Sequence, residues 1–313
     1  MKKLFIIFVM FFISCSGVKN GDLLFIEANS EFGFNYPYFL FIPDNAPKDH
    51  QLTMIIEPNN SGFVDDDLIK HIEKARRTAS REFYLGNYVS RKLQTSLLVP
   101  VFPRSKTNWK IYTHALDRDV MLQKDTDLER IDLQLLAMAS HGKTKLSELG
   151  YTCNEKYFMT GFSASGTFAN RFTLLHSDKI QAVAAGGVNG LLMLPMDELN
   201  GEKLNYPLGV NDFEEITSKP FNFNAFKNTP QFYFMGALDS YDAIPYDDGY
   251  SEKERKQVYD LLGKEMQPQR WEACQAIYQD QGINAIIKTY DNTGHEQAED
   301  IKVDVLKFFQ ENL

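Results

Sequence analysis

Tyr157-Phe158-Met159-Thr160-Gly161-Phe162-Ser163-Ala164-Ser165-Gly166 reads as a strand, a sharp turn and the opening of a helix. The strand is expected over 156–161 and the helix over 165–176. A serine on so tight a strand-to-helix turn takes strained backbone angles, and small residues two before and two after it, Gly161 and Ser165, relieve the crowding. The turn lifts the hydroxyl above the sheet edge and aims a helix N-terminus at it, a place that favours a developing oxyanion. Small–x–Ser–x–small turns also arise by chance, and a serine capping a helix is ordinary. The surrounding chain has to supply the partners.

A nucleophilic serine needs a base, and the chain has six histidines: His50, His71, His114, His141, His176 and His295. His71 and His141 fall inside helical stretches and read as surface or half-buried residues. His176 lies on the helix after Ser163, and thirteen residues at about 1.5 Å each put it roughly 20 Å along the axis. His50 and His114 belong to loops at or before the early strands. His295 alone follows the last strand, in Tyr290-Asp291-Asn292-Thr293-Gly294-His295-Glu296. In such sheets reacting groups gather at the carboxyl ends of the strands. A helix-capping role for His295 is the plain alternative.

The acid that orients an imidazole is expected after the strand 231–235. Gly236-Ala237-Leu238-Asp239-Ser240-Tyr241-Asp242 offers two, with Asp239 preferred and Asp242 the alternative. Asp247 and Asp248 read as solvated turn residues. A calcium loop does not fit, because the alternate-position acids and the closing Glu are missing.

The order Ser163, Asp239, His295 over alternating strands and helices resembles the α/β-hydrolase superfamily. Gly161-Phe162-Ser163-Ala164-Ser165-Gly166 and Gly294-His295-Glu296 are similar to its polyhydroxybutyrate-depolymerase and feruloyl-esterase-like branch, many members of which are secreted. The likeness runs from about residue 34 to the end. It implies a mostly parallel central sheet with helices on both faces and a Ser-His-Asp triad, and leaves the substrate open. The chain departs from the family at the turn after its third strand. Where a Gly-rich segment is common, this sequence has Glu57-Pro58-Asn59-Asn60-Ser61-Gly62. Pro58 has no N–H, so the second oxyanion donor is expected from Asn59 or Asn60, beside the N–H of Ala164. An Asn side chain is a further option, and a plain Pro-Asn turn the bland one.

Outward from the elbow, strands are expected over 36–42, 52–57, 96–102, 180–188 and 283–290. Helices are expected over 65–85, 127–149 and 298–309, with two more before residue 281. Apolar strands separated by helices indicate a parallel sheet covered on both faces. Residues 189–229 break the rhythm, after the sixth strand of such a fold, and read as a cap or substrate-site insertion. Trp109, Tyr112, His114 and Arg118 follow the strand ending near Phe102, and either line the substrate site or pack an interface.

The 313 residues are 43% hydrophobic and 24% charged, a globular balance with room for a large core. A net charge of −9 without a basic run disfavours nucleic acid as a partner. Three cysteines without a CxxC pair provide neither a disulfide scaffold nor a zinc site. No metal or organic cofactor is implied.

Lys2 and Lys3 precede an apolar run from Leu4 to Ile13, then Ser14 and Cys15. About ten apolar residues is half of what a bilayer-spanning helix requires, so residues 1–14 read as a secretory leader. Cys15 at its end resembles a bacterial lipoprotein site, with lipid attached to that cysteine. Ordinary secretion with cleavage near Ser16 or Gly17 is the alternative. Residues 15–33 then read as a tether and 34–313 as the folded domain. Outside the cytoplasm a Cys153–Cys274 disulfide is open, though two buried small hydrophobes is the preferred reading.

These readings converge on an exported, lipid-anchored serine hydrolase of carboxylic esters, its substrate a small or polymer-derived ester. The rivals are a serine peptidase with the same triad and a non-catalytic surface lipoprotein on this fold.

Overall fold

The computed structural model describes residues 21–59, 62 and 64–313. Residues 1–14, expected to be a leader, the expected lipidation residue Cys15, and Asn60 therefore lie outside the described residues. Eight strands form the central sheet: β1 Gly21–Ile26, β2 Tyr38–Pro43, β3 Ile55–Ile56, β4 Leu97–Pro100, β5 Tyr157–Phe162, β6 Ile180–Gly186, β7 Gln231–Gly236 and β8 Ala285–Tyr290. Their spatial order is β1-β2-β4-β3-β5-β6-β7-β8. β2 pairs antiparallel with both neighbours and all other pairs are parallel, so β2 alone runs against the rest.

Every residue of β2, β5 and β7 is buried, as expected of strands covered on both faces. Alternate residues serve two separate cores. Phe39, Phe41, Phe158 and Phe234 face one way, toward helices α1 Leu68–Ser80 and α2 Leu85–Leu93 and the C-terminal helix. Leu40, Met159, Tyr233 and Met235 face α3 Ile131–Glu148, α4 Ala164–Leu175, α5 Glu252–Leu262 and α6 Trp271–Asp280. The C-terminal helix, α7 Glu299–Gln310, sets Phe309 against Phe158 with ring centroids 4.6 Å apart.

Several boundaries move from their sequence-based positions. Gly21–Ile26, expected within a tether, is edge strand β1, registered from Gly21 opposite Pro43 to Ile26 opposite Tyr38. Its Leu23, Leu24 and Ile26 are only half-buried, and six residues with one partly covered face carry too little alternation to read as a strand. The helix expected over 65–85 is α1 and stops at Ser80, because the chain turns extended at Arg81, and α2, which was not expected, follows from Leu85. Asn87 of α2 then donates to the freed Ala79 carbonyl at 2.6 Å. The segment 52–57 divides too: Gln51–Leu52 pairs with Thr152–Cys153 in a separate ladder, and only Ile55–Ile56 joins the main sheet. The helix expected from 127 starts at Ile131, after Arg130 in a left-handed conformation.

Residues 189–229 contain a short hairpin, Glu198–Leu199 with Glu202–Lys203, and two helical turns. Leu192, Leu194, Leu204, Tyr206 and Phe226 from this segment are buried in the core on the α3 and α4 side. Cys153 and Cys274 are both free. Cys274 is buried and Cys153 half-buried.

Candidate active site

The sequence of β5 and α4 produces the expected sharp turn. Ser163 takes φ 62° and ψ −128°, a conformation that costs on the order of 1–3 kcal/mol in a non-glycine residue. Three contacts hold it there. The Ser163 N–H donates to the Gly186 carbonyl at the end of β6 at 2.9 Å. Ser165 Oγ accepts from the Phe162 N–H and donates to the Phe162 carbonyl, each at 2.9 Å. Gly161 is required by close approach, since a Cβ there would stand 2.3 Å from the Ser165 carbonyl oxygen. Ala164 is the first residue of the twelve-residue α4, so its N–H belongs to the positive end of that helix.

The loops after β7 and β8 bring the acid to the base. Ala237 donates to the Tyr290 carbonyl and Leu238 to the Thr293 carbonyl, both at 2.9 Å. The loops touch so closely that a Cβ on Gly236 would lie 2.2 Å from the Thr293 carbonyl oxygen. Across this seam His295 Nδ1 lies 2.8 Å from Asp239 Oδ2. The Asp239 side chain is 2% exposed and that of His295 13%. Asp239 Oδ1 accepts the Tyr241 N–H at 2.9 Å, so both carboxylate oxygens are engaged.

His295 lies beside the elbow. Its ring centroid is 4.7 Å from that of Phe162, and a Cβ on Gly187, next to the residue that holds the Ser163 N–H, would be 3.0 Å from its Cε1. Asp242, the alternative acid, is held elsewhere: its carboxylate contacts the buried Arg270 guanidinium at 2.6 Å and accepts the Ile244 N–H at 3.0 Å.

The turn after β3 corrects one expectation. The Asn59 side chain is buried and directed inward, with Nδ2 donating to the Phe102 carbonyl at 3.1 Å and Oδ1 accepting the Phe102 N–H at 3.3 Å. It is not placed to donate to an oxyanion, which leaves the backbone N–H of Asn59 as this residue's possible contribution.

Of the loop after β4, His114 is buried 2.7 Å from the Phe102 carbonyl, and Tyr112 lies under the Arg104 guanidinium, 3.5 Å from the ring centroid. Trp109 is exposed, and its carbonyl accepts from Arg104. Arg118 pairs with Asp212 at 2.6 Å and lines a polar groove of about 380 Å³ with Lys110, Asp119, Lys203 and Glu254. Ser163, Asp239 and His295 do not line that groove.

Two other histidines are buried, and for His71 this corrects the expectation of a surface or half-buried residue. His71 is fully buried, with Nε2 2.9 Å from the Asp65 carbonyl, and His176 contacts buried Asp132 at 2.9 Å.

Glu57, just before the turn, is buried, and desolvation pushes its carboxyl up to about 8 against the pull of the Gly86 N–H and of Lys74. Above the unfolded pKa the unfolded chain gives up this proton while the folded chain keeps it. Stability therefore falls as pH rises through the window up to about 8, at about 1.4 kcal/mol per pH unit at most. Glu57→Gln retains an acceptor for Gly86, which donates to Glu57 at 2.8 Å. Urea midpoints are expected to show the variant gaining on the wild type from pH 5 to pH 8.

Sequence reasoning missed Tyr241, whose ring stacks on His295 with centroids 4.4 Å apart and planes 20° apart. Its place two residues after Asp239 was the available signal. It also missed the Asp242–Arg270 contact, which spans 28 residues of chain and has no local signature.

The sequence matches no protein-family model and no curated protein sequence. Solved structures do match. The poly(aspartic acid) hydrolase-1 from Sphingomonas sp. KT-1 aligns with a TM-score of 0.59 at 12% identity, over 92% of this chain and 97% of its own. The LpqC poly(3-hydroxybutyrate) depolymerase from Bordetella parapertussis aligns at 0.55 and 13% identity, covering 94% and 90%. An S-formylglutathione hydrolase from Agrobacterium tumefaciens aligns at 0.52 and 12% identity, covering 96% and 99%. The chain has the α/β-hydrolase fold.

Proposed function

We propose that the protein is an exported serine hydrolase of carboxylic esters. The observation that carries this reading is the Asp239–His295 contact at 2.8 Å beside a serine held at φ 62°. Asp239 on Nδ1 sets the tautomer, so the other ring nitrogen takes the Ser163 proton as Oγ attacks the ester carbonyl. His295 returns that proton to the leaving alcohol, and water then releases the acyl group by the same route. The Ala164 N–H, with a backbone N–H of Asn59 or Asn60, is proposed to hold the tetrahedral oxyanion. The 189–229 segment begins two residues after Gly187, which lies against His295, and its Asn189 Nδ2 donates to Thr167 Oγ1 of α4 at 3.4 Å, which favours a substrate-contacting role for it. A poly(3-hydroxybutyrate) depolymerase and a ferulic acid esterase among the similar structures support an ester substrate, whereas the poly(aspartic acid) hydrolase-1, named for a polyamide, supports the amide alternative.

No helix among the described residues is long and apolar enough to cross a membrane. Attachment is proposed through lipid on Cys15, on the strength of the leader pattern.

One experiment addresses both parts. Cells producing the full chain are fractionated and treated with a fluorophosphonate probe, and the modified residue is mapped by mass spectrometry. Label on Ser163 in the membrane fraction, moving to the soluble fraction in Cys15→Ser, is the expected result. Folded protein that takes no label would overturn the serine mechanism. Matched ester and amide substrates then separate esterase from peptidase.

A further inference from the structure

We infer that Tyr241 is a positioning residue for His295, fixing the plane of the imidazole that Asp239 alone leaves free to turn. The inference rests on the proposed triad. The ring is tethered at Cβ, and a single hydrogen bond at Nδ1 tolerates a range of rotation about the Cβ–Cγ bond. That rotation tilts the ring plane and shifts the other nitrogen relative to a fixed nucleophile. A parallel ring at 4.4 Å with planes 20° apart opposes that rotation, because tilting the imidazole drives its edge into the tyrosine face. Phe162, at 4.7 Å and 42°, is the second aromatic neighbour of the imidazole.

Tyr241 acts on both members of the pair. Its backbone N–H donates to Asp239 Oδ1 while its side chain stacks on His295, so one residue sets the acid and the base relative to each other. Core packing does not explain the placement, since Tyr241 is 66% exposed. Among the aromatic ring pairs of the described residues, Tyr241 takes part in this one alone. The stack also places a π face against a ring that becomes cationic as it takes the serine proton, an interaction that strengthens in the transition state.

The test compares wild type, Tyr241→Phe and Tyr241→Ala as purified full chains. Fluorophosphonate labelling rates are read at several probe concentrations, and kcat and KM on any ester the wild type hydrolyses. Tyr241→Ala is expected to slow labelling at saturating probe, and to lower kcat, by about three- to tenfold. KM is expected to stay within about twofold, the signature of a lost transition-state interaction. Tyr241→Phe keeps the ring and is expected to restore the rate. The low-field proton resonance of the His295 Nδ1–H is expected to be sharp in wild type and Tyr241→Phe and broadened in Tyr241→Ala, with thermal midpoints alike. Wild-type rates in Tyr241→Ala would overturn the inference, as would a rise in KM with kcat unchanged. A wild type that takes no label at Ser163 removes the triad and the inference together, which is distinct from a labelled wild type indifferent to Tyr241.

Discussion

Ser163→Ala is expected to abolish fluorophosphonate labelling and to lower kcat on a responsive ester by about 10⁴-fold or more. His295→Ala should fall as far, and the double variant no further, because nucleophile and base act as one unit. Asp239→Asn keeps the shape of the acid but allows the wrong imidazole tautomer, and a loss of about 10³–10⁴-fold in kcat is expected. Asp242→Asn is the control for loop damage. Its carboxylate serves Arg270 and the Ile244 N–H rather than His295, so its kcat should stay within about tenfold of wild type. Its stability should fall, since a fully buried guanidinium loses its counter-charge. Steady-state kinetics with urea midpoints for the wild type and all five variants separate the two effects. An Asp242 variant as slow as the Asp239 variant would reassign the acid.

Asp132→Asn is expected to destabilise the protein by about 3–5 kcal/mol. Arg130 donates to the Asp132 carboxylate through Nε at 2.8 Å and Nη2 at 2.7 Å, and His176 Nε2 lies 2.9 Å away. The carboxylate is fully buried and joins the first turn of α3 to the end of α4. Burial alone would raise its pKa, but the Arg130 and His176 contacts prevail and hold it well below the usual carboxylate range. The sign follows from proton counting. Below the ordinary carboxylate pKa of about 3.9 the unfolded chain binds a proton that the folded chain still refuses. The stabilisation is thus present at neutral pH and is lost as the pH falls through that range. Urea midpoints at pH 7 and pH 3.5 should show the gap between wild type and Asp132→Asn narrowing in acid. A gap that does not change with pH would mean that the pair is held by shape and hydrogen bonding alone.

The sheet was legible wherever strands are buried on both faces. Runs such as Tyr157–Phe162 and Gln231–Gly236 are buried throughout and apolar but for Thr160 and Gln231, and the β4 and β6 runs carry the same local signal. β1 was not legible, because an edge strand with one partly covered face differs little from a mixed tether. The stop of the helix expected over 65–85 at Ser80, and the second helix Leu85–Leu93, were hidden for a related reason. Arg81 turns the chain extended, and the Asn87–Ala79 bond that closes the break joins residues whose approach depends on how the two helices pack.

At the candidate site the boundary follows the same rule. The glycine and serine spacing around Ser163 is a local steric requirement of a tight turn, so the sequence by itself determines the elbow, the helix aimed at it and the order of the potential partners. Asp239 and Asp242 stand three residues apart on one loop, and nothing local distinguishes them. The tertiary structure does, because Gly236 lets the β7 and β8 loops close to contact and Arg270, from before α6, takes Asp242. It likewise turns the Asn59 side chain inward to Phe102, gives His176 to Asp132 and lays Tyr241 on His295. Each of these is a pairing across chain separations that local periodicity does not encode, decided by which surfaces the packed helices and loops leave within hydrogen-bonding reach.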